Sequence, residues 1–573
     1  MKSKILGLFI LSPLFLCGVA LAESPKGVQK VSAIDTPDMT INSDSEFADF
    51  ISSVNAGARY DGELIHLTND VSFEITVKPT SADPWSIFGG VFDGLNHTIT
   101  ITVSMSDACP SLFRNIGSGS LKNAVFKNAN LIYTVGQDTS SGQYPAPLAT
   151  YNNGLIQNVH ATVQYNANNT DVGGIVFRNQ TVGTIENCSC EGSITAGQKI
   201  GGIALDNQGI IRNCTNRATI ESSEGNVGGI CATNSGTIDG CSSSGTITAT
   251  TYIGGIVGTN TKIVQNSINR GTINASGKFI GGIVGCNGAS SSFPKSKIIN
   301  CVNYGNVINT SDDSAGICGF MYSNSEISYC SNYGVVSTTS STSTTAGTGG
   351  IVGRINGADS TEGHETIIEY CYNVGDVSAN YLAGGLLGLV QSTATPAVQI
   401  RGCFTTGDVS AATKNGGTLI GFSNTGKVVV TDSYAVGTPL GVAKAGIGGG
   451  TAASTATSLA NGVSSNFKAV VKFIREYTCS EERADFLSAY AALSEAETTL
   501  LGQVEYYDEL TQFSGKTYLQ AAEYIANRVV SGESNFNFIF KDNNTSIIAV
   551  GIIVVTALAL TTSLVFLRKK KER

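Results

Sequence analysis

The chain has 573 residues, of which 67 are glycine and only 14% are charged, with a net charge of −9. That is more chain than one compact core organises, with more glycine and less charge than the ~7% and ~25% of ordinary globular proteins. Only 11 prolines and a hydrophobic content of 41% exclude a collagen-like or simply disordered protein, so the glycines must serve a folded, repeated backbone.

Residues 1–22 carry Lys2 and Lys4, an apolar run from Ile5 to Val19 and the small-x-small ending Ala20-Leu21-Ala22. This reads as a secretory leader cleaved before Glu23; a lipobox on Cys17 is the competing reading, disfavoured by Leu16 where a small residue is wanted. Residues 23–60, with Ser45 to Ile51 in helical register, are expected to cap the open edge of the first repeat.

Repeats dominate residues 61–440 and are clearest over 173–437. A Gly-Gly-apolar-apolar block recurs from Gly173-Gly174-Ile175-Val176 to Gly384-Gly385-Leu386-Leu387, and a degenerate copy sits at Gly416-Gly417. Between blocks lies a slot filled by Cys188, Cys214, Cys241, Ser267, Cys301, Cys330, Cys371, Cys403 and Ser433. Three residues before every slot stands Ile or Val; six after, Pro439 alone breaks an Ile/Val column; four after, Ala218 alone breaks a glycine column. β-Branched residues at fixed places between turn-formers describe short strands, and a repeat mostly of 26 to 34 residues is one coil of a parallel β-helix. Inward Ile and Val then stack about 4.8 Å apart, glycines supply positive φ at the bends, and nine coils make a rod of roughly 40 Å. The slot takes Cys or Ser, and Cys231 and Cys318 stand where sister repeats have Val, so a small side chain is being selected; buried free thiols and some disulfides both remain open. Metal binding lacks any paired C-x-x-C spacing.

After the repeats, 441–465 reads as a Gly/Ala/Ser/Thr linker and 466–531 as a helical hairpin or stalk, with Phe486, Leu487, Tyr490 and Leu493 on one face. Residues 532–545 are a spacer. Residues 546–567 contain no charge and are long enough to cross a ~30 Å hydrocarbon layer. The basic tail 568–573 places the C-terminus inside and the rest outside, a single-pass type I arrangement at the cell surface. With leader and tail set aside, the outer part carries a charge near −15, which argues against nucleic acid or other acidic polymers as partners bound by bulk charge.

The Gly-Gly-Ile-Val-Gly at 254–258, 281–285 and 349–353, with Asn-Cys or Tyr-Cys and a following Gly, resembles the GLUG-motif repeat of surface adhesins. The stretch Phe88-Gly89-Gly90-Val91-Phe92-Asp93-Gly94-Leu95-Asn96 is similar to the lead-in of such proteins. The resemblance covers roughly 60–440 and implies an all-β, right-handed parallel β-helix with an adhesion role toward an extracellular or host protein or glycan; it carries over no catalytic residue.

No catalytic, cofactor-binding or metal site is assigned, and no cofactor is expected. A carbohydrate-active enzyme on the same scaffold is the alternative, and a structural coat or spacer the third reading. The best acidic cluster, Asp359, Glu362, His364, Glu365 and Glu369, sits in a long polar loop and reads as solvated surface. Insertions gather at one corner, at 286–297, 354–366 and 389–398, and build either a binding edge or drifting loops. Of nine Asn-x-Ser/Thr sequons, Asn187 and Asn213 abut the slot and are poor glycosylation candidates. The ligand and the oligomeric state are not legible.

Overall fold

A computed structural model describes residues 36–450, short internal segments such as 76–85, 289–294, 358–363 and 392–397 excepted, together with Glu505–Tyr506 and Lys516–Thr517. From Met39 onward the described chain winds as a parallel β-solenoid. One of its sheets has twelve strands, from Ile87–Phe88 to Ile420–Ser423, one for each turn. The coil at 200–222 shows the path. Ile200–Gly201, Ala204–Asn207, Ile210–Arg212, Thr215–Asn216 and Thr219–Ser222 follow one another, each paired in register with its copy one coil later.

Parallel pairing of successive coils converts the repeat into columns. Ile185, Ile211, Ile238, Val264, Ile298, Ile327, Ile368, Ile400 and Val430 pair in unbroken succession and are buried, as the spacing anticipates. Ile175, Ile203, Ile230, Ile256, Ile283, Ile317 and Ile351, which follow the Gly-Gly blocks, form a second fully buried column. Each coil alone exposes these side chains on both sides, so burial is achieved only by stacking.

The glycines act differently from the sequence expectation. Left-handed backbone just before the slot is supplied by Asn187, Asn213, Asn266 and Asn300 (φ 50–53°) and by Tyr329 and Tyr370 (φ 56° and 53°), with glycine, among the described residues, at Gly240 (φ 63°). Asn tolerates this region because its short polar side chain bonds locally. The Gly-Gly blocks mark close approach instead. A Cβ on Gly254 would lie 1.9 Å from the Val257 carbonyl oxygen, and one on Gly255 would lie 2.1 Å from that of Gly282.

Buried carboxamides stitch the corners. Asn152, Asn179, Asn207, Asn234, Asn260 and Asn287 form one ladder in which each Nδ2 donates to the Oδ1 of the next at 2.7–2.8 Å. Asn269, Asn303, Asn332 and Asn373 form a second ladder with the same spacing, ending on Thr405 Oγ1 at 3.4 Å. These side chains also bond the turn backbone, as Asn234 does to the Gly236 N–H and carbonyl, both at 3.2 Å. These bonds give turn backbone groups at the buried corners a partner.

The slot is a column of free thiols. All eleven described cysteines are buried and none is bridged. Side chains repeated by a translation of about 4.8 Å keep their Cβ atoms farther apart than the ~3.8 Å of a disulfide. The column is joined by hydrogen bonds instead. The N–H groups of Cys301, Cys330 and Cys371 donate to the sulfur one coil later at 3.4–3.5 Å. Serine substitutes because it serves the same contacts: the Cys241 N–H donates to Ser267 Oγ at 3.2 Å, and that hydroxyl donates to the Gln265 carbonyl at 2.7 Å.

At the start, the helix Asp44–Asn55 is capped by Ser43, whose Oγ accepts the Glu46 N–H, while Glu46 accepts the Asn42 N–H at 2.8 Å. Its buried Phe47 and Phe50 meet Phe73, Phe88, Phe92 and Phe113 at ring-centroid distances of 5.8–6.4 Å. Rung pairing begins earlier than expected, because Met39–Ile41 already pairs with Ile65–Leu67. It also ends later. Pro439 lies within the strand Pro439–Lys444, and bridges join Ile420 to Ile447 and Ser423 to Gly450, so coil extends into the expected linker. Pro439 is tolerated there because an edge strand can lack an N–H.

The expected leader, the expected transmembrane segment 546–567, the tail and most of the expected stalk lie outside the described residues. Among the described residues no helix is long and apolar enough to cross a membrane. Within 466–531, Glu505–Tyr506 pairs antiparallel with Lys516–Thr517, so these four residues are strand where helix was expected. The pairing joins these backbones between strands, where a helix would bond each one within its own turn.

Asn234→Ala removes an acceptor from Asn207 and a donor from Asn260 and leaves buried groups unpaired. Urea unfolding should show a loss of roughly 2 kcal/mol or more, given ~1–3 kcal/mol for each orphaned group. Burial and neighbouring thiols push Cys214 and Cys371 well above the usual thiol range, and burial pushes Cys190 up to about 12. Burial together with a raised thiol value also holds for Cys301, so iodoacetamide at pH 8 should leave Cys214, Cys301 and Cys371 unlabelled in the native chain and modify them after unfolding in urea, a contrast read by peptide mass spectrometry.

Candidate functional site

The strands holding the Ile185 column are three or four residues long, and wherever the residue between strand and slot is described it is left-handed. With the slot side chain directed inward, the residues just before it, one after it and three after it form a continuous outer face across the coils. Two different surfaces occupy that face.

Over the earlier coils a groove of about 850 Å³ opens, lined by Asn128, Asn158, Asn187 and Asn213 together with His160 and Arg217. Along its wall Glu186 is almost fully buried, accepts from Gln157 Nε2 at 2.6 Å and is ion-paired with Arg212. His160 Nδ1 lies 2.8 Å from Ser189 Oγ, and Thr215 Oγ1 lies 3.1 Å from Ser242 Oγ. The left-handed corner begins as an ordered ladder: Asn158 donates to Asn128 at 2.9 Å and Asn128 to Asp93 at 3.0 Å. Burial pushes the Asp93 carboxyl up, but hydrogen bonds from Asn128 and the Leu95 N–H, with Lys127 at 3.0 Å, outweigh it and hold the group below the usual carboxylate range.

Over the later coils the same face turns aromatic. Tyr304 stacks on Tyr333 at 5.0 Å, Tyr329 on Tyr370 at 5.3 Å and Tyr372 on Phe404 at 4.8 Å. Tyr333 and Tyr372 share a hydroxyl–hydroxyl bond of 2.7 Å that ties two of these stacks together, and the Arg270 guanidinium lies 5.6 Å from the Tyr304 ring. The tyrosines of the stripe are half-buried. The three large insertions all enter at the corner after the twelve-stranded sheet, between Asn287 and Ser296, Asn356 and Ile367, and Val390 and Val398. The strand Ile367–Glu369 spans only about 10 Å, so the insertion corner adjoins the aromatic stripe.

Neither surface is singled out by the sequence. Of the acidic cluster considered there, Asp359 and Glu362 lie outside the described residues, and Glu369 is ion-paired with Arg401 on the neighbouring coil. Asn187 is exposed at its corner, whereas two other sequon residues, Asn179 and Asn309, are wholly buried and hydrogen-bonded.

A second cluster with displaced titration has a structural reading. Asp313, buried and left-handed (φ 46°), lies 3.0 Å from the Arg354 guanidinium and accepts the Gly347 N–H at 3.0 Å. Arg354 in turn covers Phe320 at 4.8 Å and Phe279 at 5.5 Å, locking three successive coils together. Burial pushes the Asp313 carboxyl up to about 7 against the opposing pull of Arg354. A raised folded-state value means that the folded chain holds this proton where the unfolded chain, near 3.8, has lost it. Stability from this group therefore falls as pH rises from about 4 to about 7. The melting-temperature advantage of wild type over Asp313→Asn should shrink between pH 5 and pH 8, checked by calorimetry in matched buffers.

No family model matches the sequence, and no curated protein matches it. Among solved structures, a Bacteroides ovatus protein provisionally named an immunoglobulin A1 protease is similar. The match has 16% sequence identity and a TM-score of 0.30, covering 52% of this chain and 76% of that one.

Proposed function

We propose that this chain is an adhesin-like cell-surface protein of the GLUG-repeat type, a membrane-anchored solenoid that acts by binding an extracellular protein or glycan. The secretory leader, the uncharged segment 546–567 and the basic tail support the surface placement and the single-pass anchor. The right-handed winding comes from the same resemblance. The observation that carries the binding reading is the aromatic stripe. Stacked tyrosines held by a hydroxyl pair and a backbone ladder are pre-ordered, so a ligand that stacks on them loses little additional side-chain entropy. Tyrosine and arginine are also the side chains enriched at binding hot spots.

The full-length chain in detergent, screened against immobilised glycans and intact cells, should retain a defined ligand class. Tyr333→Ala combined with Tyr372→Ala should weaken that retention by about 2 kcal/mol, roughly 30-fold, the scale of a hot-spot pair. Retention by nothing in the screen, or by the double variant as by wild type, would sink the reading.

A further inference from the structure

The corner ladder of the slot face is interrupted, and the interruption coincides with the groove. Two ordered stretches each end on a carboxylate. Asn158 and Asn128 run to Asp93, while Asn300 donates to Asn266 at 2.9 Å and Asn266 to Asp239 at 2.7 Å. Between them stand Asn187 and Asn213, in the same left-handed conformation but with side chains that make no hydrogen bond to any described residue. The next coil has Gly240, where a Cβ would fall 2.7 Å from Asn213 Oδ1. The Asn213 carboxamide thus uses space that any larger residue would take. Arg217, just beyond the short strand Thr215–Asn216, is exposed and has no ion pair among the described residues. Arg212 is half-exposed and spends its contact on Glu186.

We infer that this groove is a binding site for a short carboxylated saccharide, a uronic-acid oligomer in chemical class. Arg217 would meet a carboxylate, and the unspent carboxamides of Asn187 and Asn213 would bridge vicinal hydroxyls. The volume of about 850 Å³ falls within the ~300–1,000 Å³ of small-ligand pockets, but the lining is polar where such pockets are mostly apolar. That composition favours a hydroxyl-rich ligand over a peptide, which would need an apolar anchor. Asn187 and Asn213 repeat at the coil spacing of about 4.8 Å, close to the length of one sugar residue along an extended chain. A guanidinium presents paired N–H groups to a carboxylate, the geometry best suited to holding it. The site lies on the earlier coils, so it goes beyond the aromatic-stripe reading and stands or falls separately.

The test is calorimetric titration of the full-length chain in detergent with a uronate oligomer, a neutral oligomer of the same length and a sulfated one. The uronate should bind at least tenfold more tightly than either of the others. Arg217→Ala should reduce its affinity tenfold or more. Asn187→Gly with Asn213→Gly, which keeps the left-handed corners as Gly240 does, should reduce it by a similar factor without changing the melting temperature by more than a few degrees. Tyr333→Ala with Tyr372→Ala should leave uronate affinity unchanged, which separates this site from the stripe. No uronate binding overturns the inference, as do equal binding of the neutral oligomer, a preference for the sulfated one, wild-type affinity in both groove variants, or a glycan found covalently attached to Asn187 or Asn213.

Discussion

Everything in this molecule depends on one constraint: each coil lies about 4.8 Å above the last, with its backbone hydrogen-bonded to both neighbours. At that separation a side chain's nearest partner is its own equivalent one coil away. Apolar residues meet apolar residues, which gives the Ile columns, and a buried polar group survives only if it can bond a copy of itself. Asparagine can, because its carboxamide is both donor and acceptor; two ladders use it this way. A thiol beside a backbone N–H can too, and serine replaces it without loss of either contact.

The sequence exposed the part of this logic that is hydrophobic and periodic. The Ile/Val column three residues before the slot is legible because nothing else at that position would bury, and it predicts the pairing register of strand after strand. The carboxamide ladders were not legible for a physical reason. Asn is common in turns, sequons and solvated loops, and one letter does not reveal whether its amide points at water or at the next Asn. The glycines misled for a related cause. Left-handed backbone and close approach both select glycine, and only the folded backbone shows that Asn187 or Tyr370 takes the first role while Gly254 takes the second.

The candidate site was less legible than the fold because it resides where columns change character. Tyr329 and Tyr370 stand in line with Asn187 and Asn213, and Tyr304 in line with Arg217, so a reading tuned to repetition passes over them as drift. Yet substitution within a fixed frame is how a solenoid can acquire a surface: the scaffold holds the position while the side chain alone changes. A polar groove and an aromatic stripe thus occupy the same corner on different coils, separated by a few repeats.

The parallel ladders also have a mechanical meaning. Their backbone hydrogen bonds run along the solenoid axis, so tension applied along that axis loads the contacts between coils rather than those within a coil. A rod of this kind yields at its weakest junction and then sheds one coil at a time, each releasing several nanometres of chain at roughly 3.3–3.6 Å per residue. Where Arg354 pairs with Asp313 on the adjacent coil and covers Phe279 one coil farther on, that sequence of ruptures is interrupted by a stiffer block. A solenoid built this way can absorb a pull by lengthening and still keep part of its outer face folded.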